Sequence, residues 1–89
     1  MIDVTVANEA VRLVAEDRND TYGPPEENLE RIAGLWSNYL GHPVTREDVA
    51  LMMVLVKISR SRAGYSRDNT VDGVAYFLIH DGMARDGAS

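Results

Sequence analysis

A small set of side chains in this sequence has the types and spacing for phosphate or metal chemistry. Glu26, Glu27 and Glu30 form an E-E-x-x-E pattern. On a helix, Glu27 and Glu30 share one face. Lys57 and Arg60 are likewise one helical turn apart. Asp68 and Asp72 follow, with Asn69 between them and Tyr76 a further turn on. Magnesium takes carboxylate oxygens and keeps several waters, so a few carboxylates suit it. Glu27, Glu30, Asp68 and Asp72 are the candidate metal ligands. A polyphosphate would then meet Lys57 and Arg60. A metal-bound water attacking phosphorus needs a general base, for which Glu27 and Glu30 are the candidate catalytic residues.

Each of these residues also has a structural explanation. Glutamates in a first helical turn favour the positive end of the helix dipole, and cations near a C-terminus favour the negative end. Asp68 and Asp72 can cap a helix or pair with Arg60 and Arg67. Tyr22, beside Gly23, can stack on a base or pack on a helix end. Asn28 stands inside a helix that does not favour it, so a hydrogen bond to the loop or to a ligand is expected. Trp36 follows the core periodicity. His42, beside Pro43, reads as a turn residue, and His80 has no second histidine or cysteine nearby to make a zinc site. No nucleophile elbow, P-loop or dinucleotide fingerprint is present.

The elements that must position these residues read as four helices with no convincing strand. Asp3 caps a first helix over roughly 4–17, with Val6, Ala10, Leu13 and Val14 at helical spacing. Residues 18–23 read as a loop. Pro24 and Pro25 open a second helix, whose apolar face comprises Leu29, Ile32, Ala33, Leu35, Trp36, Tyr39 and Leu40. Gly41 ends it. Thr45 and Asp48 form a capping box for a third helix over about 46–62. A fourth spans about 70–83, and residues 84–89 form a small, polar tail expected to fray. The fold class is therefore all-α, a compact bundle of four helices in one domain.

Composition narrows the function classes. A chain of 89 residues without cysteine has neither disulfides nor a thiolate metal site. No signal-peptide pattern is evident, and the apolar run Val49–Val56 is far too short to span a membrane. A soluble, cytoplasmic protein is expected. The net charge of −5 opposes general nucleic-acid binding. Lys57, Arg60, Arg62 and Arg67 cluster nonetheless, leaving room for a local anion site. The same apolar run makes the third helix hydrophobic on every side. Such a helix must be covered all round. Three neighbours in so short a chain barely suffice, so a homo-oligomer is expected, and Met52 and Met53 suit an adaptable interface.

RNDTYGPPEENLERIAGLWSNYLG, VTREDVALMMVLVKISR and RDNTVDGVAY together resemble a family of small tailed-phage proteins of unknown function. Some members of that family are described as MazG-like nucleotide pyrophosphohydrolases. The resemblance covers about residues 11–80. Its motif positions fall on Tyr22, Gly23, Pro25, Asn28, Trp36, Asp48, Lys57, Arg60, Asp68, Asp72 and Tyr76. It implies phage origin, action inside an infected bacterial host, and nucleotide handling with magnesium as cofactor. Tyr22, Asn28, Lys57, Arg60 and Tyr76 would contact the ligand. Gly23-Pro24-Pro25 replaces the family's Gly-Asp-Pro, which removes an acidic group. The all-α pyrophosphohydrolases pair E-E-x-x-E with a later E-x-x-D, whereas this chain has Asp68-x-x-x-Asp72. Three readings follow: hydrolysis of a nucleoside triphosphate, sequestering of a nucleotide immune signal of the host, and a helical interaction protein without a ligand.

Overall fold

Local hydrogen bonding sets most helix ends. In the computed structural model, which describes residues 1–17 and 23–88, α1 spans Thr5–Arg12 and continues as a wider π turn over Leu13–Asp17. Val4 occupies the N-cap rather than Asp3. Asp3 still does the capping work from one position earlier, because its Oδ1 accepts the Thr5 N–H at 2.9 Å.

Helix α2 spans Pro25–Leu40, with proline at the first helical position. It stops at Gly41, whose left-handed φ of 66° suits glycine and whose N–H returns to the Ser37 carbonyl at 2.9 Å. The Ser37 hydroxyl accepts from the Val44 N–H at 2.8 Å and donates to the Val44 carbonyl, fixing the turn into the next helix.

Helix α3 spans Arg46–Ser61 and begins with the expected capping box. The Asp48 N–H donates to Thr45 Oγ1 at 3.1 Å, and the Thr45 N–H donates to Asp48 Oδ2 at 3.0 Å. Helix α4 spans Arg67–Ala88, longer at both ends than the sequence suggests. At its start Arg67 is held from outside the helix, by α1. At its end Met83 is fully buried, and Arg85 pairs with Asp81 one turn back at 2.9 Å. The helix thus continues over residues 84–88, within the segment expected to fray.

The result is an all-α bundle of four helices, with no strand among the described residues. Helices α3 and α4 make the most extensive contact, α1 packs on α4, and α2 packs on α3. The main core joins Leu29 and Ala33 of α2, Val49, Ala50 and Val54 of α3, and Tyr76, Ile79 and Met83 of α4. Trp36 packs against it, half-buried. A second cluster brings Ala10 of α1 onto Val71 and Ala75. The apolar face expected on α2 is only half used. Leu35, Tyr39 and Leu40 are 57–89 % exposed, because the other helices cover only the Leu29–Ala33 side.

Candidate functional site

The short connection between α3 and α4 forces the end of one helix beside the start of the other. Lys57 and Asp72 meet across that seam, Nζ to Oδ2 at 3.0 Å, with side chains 11 % and 22 % exposed. Next to the pair lies an open groove of about 250 Å³. Its walls include Lys57, Ile58, Ser61, Asn69, Thr70 and Phe77. The groove wall is mainly apolar, with the Phe77 ring in it. Its polar groups are the Lys57 ammonium, the Asn69 amide and two hydroxyls. Both hydroxyls donate to backbone carbonyls, Ser61 to Lys57 at 2.9 Å and Thr70 to Ser66 at 3.5 Å. The sequence motif marked Lys57 and Asp72; it did not mark Ser61, Thr70 or Phe77. Their shared signal is positional, since all lie within about two turns of the Lys57–Asp72 contact.

The other candidate residues are distributed differently. Glu30 faces Arg46 at 3.7 Å, at the start of α3. Arg46 and Lys57 are eleven residues apart on one helix, about 16 Å along its axis. Glu30 and Asp72 are therefore associated with opposite ends of α3. Glu27 is exposed in the first turn of α2 and Asp68 in the first turn of α4. Among the described residues, no three His, Asp or Glu side chains are grouped so as to hold a metal ion. Asp72 faces an ammonium rather than a second carboxylate. Within one chain, Glu30 and Asp72 each face a cation, Arg46 and Lys57, at different ends of α3.

Tyr76 is buried in the main core, away from the groove. Arg60 is exposed, with no ion-pair partner among the described residues. Asn28 is half-buried, and its side chain bonds no described residue. Tyr22 lies outside the described residues.

Arg67 has a role that sequence spacing did not show. Its Nε donates to Glu9 Oε2 at 3.0 Å, one terminal nitrogen to Asp3 Oδ2 at 3.2 Å and the other to Thr5 Oγ1 at 3.1 Å. One guanidinium thereby ties α1 to the start of α4. The hydrogen bond to Glu9 raises the proton affinity of Arg67 further. The Asp3 carboxyl is pulled below its ordinary value, chiefly by the Thr5 hydroxyl, then by the Thr5 N–H and by Arg67. A carboxylate whose pKa is depressed by folding stabilises the fold above its unfolded pKa, and that contribution disappears as pH falls through the folded value. Acid titration followed by amide exchange should therefore loosen α1 as pH drops below about 3.8. In Asp3→Asn that pH dependence should be reduced; an identical acid profile in the variant would remove Asp3 from the account.

Comparison with known proteins adds a family. Residues 5–84 match the family described as Domain of unknown function (DUF6378). The "Gene 55 protein" of Mycobacterium phage D29 is 42 % identical over 73 residues, covering 81 % of this chain and 48 % of that protein. The "Gene 55 protein" of Mycobacterium phage L5 is 41 % identical over 82 residues, covering 90 % of this chain and 53 % of that protein. The chain thus spans about half the length of these phage relatives. No solved structure matches significantly. No helix among the described residues is long and apolar enough to cross a membrane. With nearly its whole length matched, this chain belongs to the DUF6378 family, whose relatives include mycobacteriophage proteins.

Proposed function

We propose that this chain handles a nucleotide in the cytoplasm of an infected bacterium, binding it by its phosphate at the α3–α4 groove. The observation that carries this reading is Lys57, held at the groove edge by Asp72 at 3.0 Å. An ammonium has three donors. One serves Asp72, which fixes the direction of the side chain and leaves the others for phosphate oxygens. Asn69 supplies further donors from its side-chain amide, whereas the Ser61 and Thr70 hydroxyls donate to the Lys57 and Ser66 carbonyls and would have to turn to meet a phosphate. The ring of Phe77, 53 % exposed, offers a stacking surface for a base. The MazG-like resemblance points to the same ligand class. Binding without cleavage, as in sequestering a host signal, is favoured over hydrolysis because the carboxylates are dispersed.

The test is a nucleotide panel that includes triphosphates and cyclic dinucleotides. The panel is incubated with protein and magnesium, then chromatographed before and after heat denaturation. Binding predicts a nucleotide that leaves the free pool and returns intact on heating. Cleaved product would instead support the magnesium-dependent enzyme, with Glu27, Glu30, Asp68 and Asp72 as its metal set and loss of turnover expected in Asp72→Ala. A panel that stays free and intact would overturn both. Lys57→Ala should weaken binding by about 1.5–3 kcal/mol, the usual worth of a hydrogen bond to a charged group, in calorimetry.

A second reading rests on a separate observation. Leu51, Leu55 and Ile58 of α3 are 38–62 % exposed, as a helical interaction protein would require.

A further inference from the structure

Helix α3 has two faces of opposite fate. Val49, Ala50 and Val54 are buried against the other helices. On the other side Leu51, Met52, Leu55, Val56 and Ile58 are all 38–62 % exposed. Leu55 is the most exposed of the five, at 62 %. Asp48 lies seven residues before it and Arg62 seven residues after it. Seven residues are nearly two helical turns, so both charges share the face of Leu55. Arg62 retains helical backbone angles, φ −65° and ψ −24°, so the face continues to it. Asp48 and Arg62 are both exposed, and neither has an ion-pair partner among the described residues. The capping box uses Asp48 Oδ2 and leaves Oδ1 available.

We infer that this face is a docking surface for a second copy of the chain, paired antiparallel with a twofold axis beside Leu55. The charge pattern identifies the occupant. The face is acidic at one end, apolar in the middle and basic at the other, with Leu55 midway. A twofold axis maps such a face onto itself with unlike charges opposed. Asp48 then meets Arg62 of the partner subunit, and Arg62 meets Asp48 of the partner subunit. Leu55 packs against its own copy at the centre, and Leu51 lies beside Ile58 of the partner subunit. A parallel pairing in the same register would instead set Asp48 against Asp48 and Arg62 against Arg62, which is repulsive at both ends. The pairing covers the side of α3 that the monomer leaves bare. Ile58 borders both this face and the groove, but Leu55 does not line the groove, so Leu55 variants test the pairing separately from the nucleotide reading.

Sedimentation equilibrium over a range of concentrations tests the pairing. The protein should associate to at least twice the chain mass. Leu55→Glu should run at the chain mass while keeping its helical circular dichroism. Arg62→Glu, which places like charges at both ends, should raise the dissociation constant about tenfold or more. The chain has no cysteine, so Leu55→Cys offers a single reporter thiol. Mild oxidation should link two copies through that position, since facing residues at a twofold axis come within disulfide reach. Asn38→Cys, exposed on α2, should not link. A protein that stays at the chain mass at every concentration would overturn the inference. So would a Leu55→Glu variant that associates as tightly as the unaltered protein, or equal cross-linking at the two cysteine positions.

Discussion

Met83→Ala is expected to destabilise the protein by about 2–5 kcal/mol, as large-to-small core substitutions do. Met83 is fully buried, with no exposed surface, and it packs in the core shared by α2, α3 and α4. Deleting most of its side chain removes dispersion contacts and leaves a cavity that neighbouring backbones close only in part. Small domains have only about 5–15 kcal/mol in reserve, so the variant loses a large share of it. A loss of 3 kcal/mol lowers the thermal midpoint by about 12–24 °C in a domain of this size. Met52→Ala, on the exposed side of α3, provides the control. It should cost under about 1 kcal/mol in the isolated chain, as surface substitutions do. Thermal unfolding followed by circular dichroism compares the two. A Met83→Ala midpoint equal to that of Met52→Ala would mean that the end of α4 does not dock.

The second large effect is expected at the α3–α4 seam. Lys57→Met leaves the Asp72 carboxylate facing apolar surface where it had an ammonium at 3.0 Å. Asp72→Leu does the converse to an ammonium that is only 11 % exposed. Each single substitution should cost about 2 kcal/mol, mainly for desolvating the charge left behind and less than for a fully buried pair. The double variant, which leaves neither charge, should cost less than the two singles together. Coupling of about 1–3 kcal/mol in urea titrations would identify the pair as a directional contact between the helices. Strict additivity would show that the two charges act separately. The cycle also bears on nucleotide binding. A ligand held by Lys57 stabilises the folded protein by mass action, so that increment should disappear in Lys57→Met.

Lys57 and Asp72 were each legible in the sequence as candidate site residues, but their contact was not. Spacing offered Arg60 and Arg67 as partners for the aspartates, whereas Asp72 meets Lys57 and Arg67 meets Asp3 and Glu9. The groove neighbours of the pair were less legible still. Ser61, Thr70 and Phe77 form no motif by themselves and become neighbours only once α3 and α4 align. Glu27 and Glu30 show the reverse case. Their spacing placed them on one helix face, but spacing within a helix says nothing about where that face points. The packing of α2 on α3 brought Glu30 to Arg46 instead of to Asp72. Arg67 belonged by sequence to a basic cluster, yet its partners Asp3, Thr5 and Glu9 lie about sixty residues away along the chain.

By itself, the sequence determined the four-helix class, the Thr45–Asp48 capping box, the Gly41 stop and the proline start of α2. Each of those depends on hydrogen bonds or steric limits within a few residues, which the local sequence specifies directly. Only the tertiary structure decided the full length of α4, the separation of Glu30 from Asp72, the exposed face of α3 and the Arg67 tie. Those depend on which helix faces meet, and helix packing is set by side chains distant in sequence acting together.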